Sequence, residues 1–324
     1  MLTVVTGASG HIGGNLIRRL LAEGRKVRVL VRDDTRALDG LDVETVRGDV
    51  LDKESLLRAF KGAHTVFNLA ALISIAGPLG GRVMKTNVNG PCNVLEACRE
   101  SGVKKLVHFS SIHAFRDPGD DAEVNETTPM ADDDPDLCYD FSKASGQKSV
   151  QNASRDGLDV IVVNPGAVLG PNDFKPSRMG GVLMDIYRHK LPMLVDGGYN
   201  WVDVRDVVDG ALAAEKKGRP GECYLLTGHW EHIGNVAKII KRLYGVKVPE
   251  IILPLGLGLF LSYFASTFMK LIGRIPKFTP QAMRALRAHR NISCAKARAE
   301  LGYNPRPLEE TVKDTIDWFL AQKV

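Results

Sequence analysis

The segment Thr6-Gly-Ala-Ser-Gly-His-Ile-Gly13 constrains the fold more than any other part of the chain. It joins a β-branched run, Leu2 to Thr6, to an amphipathic stretch, Ile12 to Glu23, whose Ile12, Leu16, Leu20 and Leu21 share one face. Its glycines are spaced GxxGxxG. Glycine lets a backbone turn tightly and come close to a diphosphate, whose charge then rests on the amides of the helix N-terminus. A strand, a glycine loop and a helix in that order form the first half of a βαβ unit.

The units continue. Short apolar runs read as strands at Leu2 to Thr6, Lys26 to Arg32, Val43 to Arg47, Thr65 to Leu69, Lys105 to Ser110 and Val160 to Asn164. Helical patterns separate them, including Val83 to Ser101, with Val88, Leu95 and Cys98 expected to face inward. Such alternation predicts an α/β fold with a doubly wound parallel sheet. After Pro165 the pattern loosens into loops rich in Gly and Pro, and Glu222 to Leu226 is the only further clear strand. That strand and the helix Val204 to Lys217 are expected to return to the sheet. The predicted division is a dinucleotide-binding domain of residues 1–165 joined by 203–227, and a smaller substrate-binding lobe of 166–202 and 228–324. The tail PLEETVKDTIDWFLAQ reads as a helix with a proline start, acids in its first turn and an apolar stripe at Val312, Ile316 and Phe319.

Composition excludes several classes. Of 324 residues 44% are hydrophobic and 25% charged, which suits a globular chain and not a disordered or collagen-like one. The net charge of +5, from 43 basic and 38 acidic residues with interspersed signs, gives nucleic-acid binding no support. Cys92, Cys98, Cys138, Cys223 and Cys294 are an odd number without CxxC or metal-ligand spacing, so no metal is expected and a reducing, cytoplasmic setting fits. The N-terminus enters a strand at once and lacks the marks of a signal peptide. Residues 251–269 carry no charge and are nearly long enough to span a bilayer, but Pro254, Gly256 and Gly258 argue against one uninterrupted helix. Two readings stand for this stretch: an apolar cover for a pocket or dimer face, and peripheral contact with a membrane.

The end of the second strand reads VRVLVRDDT. Val31 occupies the place where an acid would hold a ribose 2′-hydroxyl, and Arg32, next to it, can pair with a 2′-phosphate. NADP is therefore expected over NAD, although a slip of two residues would bring Asp33 or Asp34 to the ribose. Asp49 can accept from an adenine amino group and Val50 can pack on the ring. Leu69, Ala70 and Ala71 close the fourth strand with small side chains that let a cofactor lie near. Ser9, His11 and Ile12 complete the contacts expected of the glycine loop.

Tyr139 and Lys143 are four residues apart, so they project from one face of a helix. A tyrosine has a pKa near 10 and is a poor base at neutral pH unless a cation stabilises the phenolate, which Lys143 can provide. Ser111, near the C-terminal end of the fifth strand and 28 residues earlier, can bond the same substrate oxygen. Its neighbour Ser110 is the alternative serine.

These motifs, with GDV, NLAA, Asn87-Val-Asn-Gly90, FSS, YDFSK, NPGAVLGP, WVDVRDV and LGYNP, resemble the extended short-chain dehydrogenase/reductase superfamily, also called the NAD-dependent epimerase/dehydratase group. Nearly the whole chain takes part. Within the group it looks most like dihydroflavonol 4-reductase-like and 3β-hydroxysteroid dehydrogenase-like members, through the VRVLVRD strand and the apolar stretch after residue 250. The resemblance implies a Rossmann sheet with a C-terminal substrate-binding lobe, and a homodimer formed through residues 83–101 and 139–155. It implies Tyr139 as acid/base, Lys143 on the nicotinamide ribose, Ser111 on the carbonyl, and Asn87 as support for the lysine. Ser110, Pro165 and Val168 would line the cofactor. Gln147 stands where many relatives have glutamate, and His113 is a further departure, expected to line the pocket or core.

The function implied is an NADPH-dependent reductase or dehydrogenase acting on an apolar carbonyl substrate. A nucleotide-sugar epimerase and a non-catalytic NADP-binding sensor remain as alternatives.

Overall fold

The computed structural model describes the backbone of residues 1–74, 77–119, 122–134, 137–271 and 279–322, and the side chains of these residues except 155–156 and 264–271. The elements begin β1 (Leu2–Thr6), α1 (His11–Ala22), β2 (Lys26–Val31), β3 (Glu44–Arg47), α2 (Lys53–Phe60) and β4 (Thr65–Asn68). There follow α3 (Arg82–Met84), α4 (Gly90–Glu100), β5 (Lys105–Phe109), α5 (Cys138–Gln151), β6 (Asp159–Pro165), β7 (Ala167–Leu169), α6 (Arg178–Tyr187) and β8 (Leu194–Val195). Next come β9 (Gly198–Asp203), α7 (Val204–Lys217), β10 (Cys223–Leu226), β11 (His229–His232) and α8 (Ile233–Tyr244). The chain ends with β12 (Ile252–Leu253), α9 (Leu255–Leu271), α10 (Pro280–Ala285), α11 (Ala295–Leu301) and α12 (Leu308–Ala321).

Seven parallel strands form the main sheet in the order β10-β6-β5-β4-β1-β2-β3. Its inner strands are buried and mainly apolar because helices cover both faces, with polar residues such as Thr6, Asn68 and His108 toward their carboxyl ends. The pleat divides each strand between two cores. Val5, Phe67, Val107 and Ile161 pack with Leu16 of α1 and Val207 of α7, whereas Val4, Val66, Leu106 and Val160 pack with Phe60 of α2 and Leu95 of α4. Strand β10 pairs with β6 at the sheet edge, and helix α7 packs on the sheet. The order reverses between β1 and β4, so the crevice beyond their carboxyl ends is where such a sheet receives a ligand.

A third core unites Leu169, Leu183, Trp201, Ile233, Ile240, Val312, Ile316 and Phe319. Here the sequence reading undercounted strands: β7 and β11 flank β9, and β12 pairs with β8. These strands have two to six residues, too short for alternation to show. The tail is clasped to the start of α7. Arg306 Nε donates to Asp206 Oδ1 at 2.9 Å, and Arg205 bridges Asp203 and Asp314 at 2.7 Å each. Burial opposes ionisation of Asp203, but Arg205 and Arg306 hold its carboxyl below the usual range.

One helical expectation needs correction. The predicted helix Val83 to Ser101 is interrupted by a π-helical turn over Lys85–Asn89, where the wider turn rotates the chain. Asn87 is consequently the buried residue and Val88 is half-buried. The apolar stretch 251–269 is not one uninterrupted helix: Ile252–Leu253 is a strand and α9 begins only after Pro254, although Gly256 and Gly258 lie within α9 and do not break it.

Candidate active site

The glycine loop is shaped by contacts that leave no room for a side chain. Gly7 has φ +67°, and a Cβ there would lie 2.7 Å from the backbone of Leu69 and Ala70 at the end of β4. A Cβ on Gly13 would lie 2.3 Å from the carbonyl oxygen of Gly7. Gly10 N–H donates to that same oxygen at 3.1 Å and caps α1 without any side-chain hydrogen bond, and the first turn holds no acid. The first amides of α1 are left to an anion. This backbone cradle fits a dinucleotide diphosphate.

Other predicted contacts are distributed around it. Ser9 is half-buried, and Ile12 packs against the α1 core. His11 Nε2 pairs with the carbonyl oxygen of Pro171 at 3.0 Å, which Asn15 Nδ2 also bonds at 3.0 Å, so the start of α1 is tied to the loop after β7. Arg32 is exposed at the end of β2, with a guanidinium nitrogen 3.7 Å from Asp49 Oδ2. Asp33 points to solvent, and hydrogen bonds from Arg36 hold Asp34 down to about 2. Asp49 also accepts from Leu51 N at 2.9 Å. Val50 is buried with Leu56 and Val94. Leu69 and Ala70 are half-buried and Ala71 is exposed.

Tyr139 lies in the first turn of α5, with Lys143 one turn on, facing the end of β5. A hydrogen bond with the Ser111 side chain favours the phenolate, but burial dominates and pushes the phenol up to about 12. Lys143 is buried, and its Nζ donates to Phe109 O at 3.0 Å. Burial lowers its pKa to about 8. In this arrangement the cation acting on the phenol is Arg178, in the first turn of α6, which also faces Tyr199. The Lys143 ammonium is turned to the strand end. The sequence offered no sign of Arg178, which stands 39 residues beyond the tyrosine in a loop-rich region.

The remaining groups form buried chains. Asn87 Nδ2 donates to Leu72 O at 3.0 Å and Ser142 Oγ at 2.9 Å, while Ser142 Oγ donates to Tyr139 O at 2.7 Å. Asn87 thus braces α5 through Ser142 and makes no bond to Lys143 among those described. Ser110 Oγ is buried without a hydrogen-bond partner. Asn164 Nδ2 donates to Ser111 O and to Gln147 Oε1, both at 2.8 Å. Gln147, remarked in the sequence only as a departure, is thereby a fixed part of the serine's support. Thr6 Oγ1 donates to Asn68 Oδ1 at 2.6 Å, and Asn68 Nδ2 faces His108 Nδ1 at 3.0 Å. Burial first, then the Lys143 charge, keeps His108 neutral. Pro165 ends β6 beside Leu226, and Val168 is half-buried.

His113 does line the site. Its ring stands edge-on to Tyr139 at 5.8 Å between centroids and to His289 at 5.3 Å, and its Nδ1 is 3.4 Å from Asp140 Oδ2. Burial disfavours the imidazolium, but Asp140 and Asp117 outweigh it and raise the His113 pKa. Asp140 follows the tyrosine directly in sequence and could have been noticed. His289 comes from a distant segment with no local signal.

The NAD dependent epimerase/dehydratase family matches residues 3–226. Sterol demethylase protein B of Methylococcus capsulatus is 34% identical over 98% of both chains. A putative dihydroflavonol 4-reductase of Synechocystis is 28% identical over 97% of this chain and 93% of its own. Among solved structures, gox2253 is 32% identical, with a TM-score of 0.86 over 99% of this chain and 98% of that one. The chain therefore belongs to the NAD-dependent epimerase/dehydratase family of extended short-chain dehydrogenases/reductases and is a nicotinamide-dependent oxidoreductase of hydroxyl and keto groups.

Proposed function

We propose that the protein is an NADPH-dependent reductase, working reversibly as a dehydrogenase, on an apolar ketone or secondary alcohol of dihydroflavonol- or 3β-hydroxysteroid-like kind. The observation that carries this reading is the Tyr139–Ser111 pair at the carboxyl end of β5, with Lys143 one turn beyond it. The names of the sterol demethylase and dihydroflavonol reductase relatives support an apolar ring system.

The glycine loop would hold the diphosphate, Arg32 a 2′-phosphate, and Tyr139 with Lys143 the nicotinamide ribose. Asp49, Val50, Leu69, Ala70 and Ala71 would border the adenosine half, and Ser110, Pro165 and Val168 the nicotinamide. When bound, the nicotinamide supplies a hydride to the carbonyl carbon. Ser111 donates a hydrogen bond to the carbonyl oxygen, and Tyr139 gives its phenolic proton to that oxygen as it becomes an alkoxide. Arg178 and a protonated His113 then stabilise the phenolate left behind. The substrate would enter between the sheet's carboxyl edge and residues 166–202 and 228–324. Exposed Arg32, with Asp34 already neutralised by Arg36, favours NADP.

The test is coenzyme oxidation against steroid ketones, flavanonols and cyclic ketones, with NADPH and NADH in parallel. NADPH should be consumed faster, and Tyr139→Phe should reduce turnover by about a thousandfold or more while coenzyme affinity, read by fluorescence, stays nearly constant. A Tyr139→Phe enzyme of ordinary rate would refute the assignment.

A further inference from the structure

Helix α9 is apolar on both of its sides. The inner side is well placed: Gly258 sits so close to β8 that a Cβ would lie 2.7 Å from Val195, and buried Ser262 returns its hydroxyl to Leu259 O at 2.7 Å. The outer side exposes Leu257 (45%), Phe260 (57%), Leu261 (45%) and Tyr263 (50%), and Ile251 and Ile252 just before the helix are 59% and 43% exposed. These six are more than half of the eleven large apolar or aromatic side chains exposed among the described residues, so the patch is a concentration and not the usual scatter. A helix apolar all round belongs in a core or against lipid.

The sequence from the patch onward carries charge of one sign, after Glu250, which is paired with Lys241. From Ile251 to Ala299 the sequence contains no Asp or Glu and eight Lys or Arg, although the whole chain is only +5. The signs that are mixed elsewhere are separated here, and the remainder of the chain is net acidic. Arg284 and Arg287, of α10 and the turn after it, line a groove of about 340 Å³ with Leu255, where α9 begins, and with one acid, Asp117, so its charged lining is cationic in excess. No described helix is long and apolar enough to cross a membrane. Outward apolar side chains bordered by cations, on a helix that does not span, fit the interface of an anionic bilayer.

The surface also leads to the reactive phenol. Helix α10 packs on α9, and the chain beyond it reaches His289, whose Nε2 pairs with Phe115 O at 3.0 Å and whose ring stands edge-on to His113 beside Tyr139. We propose that α9 docks the protein on an anionic membrane surface, lying in its plane, so that an apolar substrate passes from the bilayer to Tyr139. The docking stands on the surface alone, and only the passage of substrate rests on the proposed reductase reading.

The experiment is co-sedimentation of the full chain with vesicles of phosphatidylcholine, with and without a one-third share of phosphatidylglycerol. The protein should pellet with the anionic vesicles, and binding should weaken by about tenfold or more on neutral vesicles or in high salt. Leu257→Ser with Phe260→Ser should weaken it by about a hundredfold, and Arg284→Gln with Arg287→Gln should remove the preference for anionic vesicles. The Ser pair should keep its circular dichroism and its rate on a water-soluble ketone. Protein that remains in the supernatant with every vesicle would overturn the proposal. So would a wild-type dimer that the Ser pair converts to a monomer, since the face would then bind a second copy of the chain. Sedimentation needs no turnover, so its result stands apart from success or failure in the coenzyme assay.

Discussion

The glycine loop and the Tyr139 cluster lie at the same edge of the sheet but keep their shapes by opposite means. The loop is backbone packed on backbone: Gly7 against Leu69 and Ala70, and Gly13 against Gly7. The cluster is a set of buried polar side chains, with Asn87 bonded to Ser142 and Asn164 shared between Ser111 and Gln147. Steric exclusion tolerates no added atom, whereas a hydrogen-bonded network can lose one member and keep its outline. The loop should therefore fail abruptly under substitution and the cluster by degrees.

The largest effect is expected at Gly13. Its missing Cβ would stand 2.3 Å from a carbonyl oxygen that has no room to retreat, so Gly13→Val should abolish coenzyme binding and destabilise the protein by about 3 kcal/mol or more. Calorimetry with and without NADPH reads both, and near-normal binding would break the contrast. Asn87→Ala comes next. It leaves Ser142 and the Leu72 backbone short of partners, and should cost about 1–3 kcal/mol while slowing turnover more than it weakens coenzyme binding.

Lys143 sharpens the comparison through pH. Its folded pKa, about 8, lies below the ordinary lysine value because the ammonium is buried. Between the two values the unfolded chain binds the extra proton, so stability should rise with pH from about 8 to about 10. Lys143→Met should flatten that rise in denaturant titrations and lose activity. The smallest effect belongs to Asp140→Asn. The His113 pKa is raised by Asp140, so the stability this pair adds is present at low pH and lost as pH climbs through the raised value. The substitution should move the corresponding limb of the pH–rate profile to lower pH, and an unmoved limb would detach His113 from Tyr139.

The same contrast explains what the sequence could convey. The loop, the strand-end serines and the tyrosine with its lysine are set by local spacing, because a turn or one face of a helix contains them. The six strands through Val160 to Asn164 were legible for a similar reason: each is a short β-branched run between helical patterns, and the inner ones are buried on both faces, whereas β3 at the edge is largely exposed. The groups that complete the cluster arrive from far away. Gln147 meets Asn164 across 17 residues, Asn87 meets Ser142 across 55, and Phe115 meets His289 across 174. Arg178 is brought by a helix that follows the short strand β7 and a loop, and no periodicity in that region fixes where it points. The orientation of Lys143 toward Phe109 O is likewise a property of packing and not of spacing.

The π-turn at Lys85–Asn89 gives the chain an unusual sensitivity to length. A π-turn is an α-helix with one residue inserted, so removing a single residue from it would restore an ordinary helix. Everything on one side would then rotate by about 100° relative to the other. Asn87 would swing away from Ser142 although no hydrogen-bonding residue need have been replaced. In this segment a deletion is a rotation, and the bracing of Tyr139 depends on the number of residues as much as on their identity.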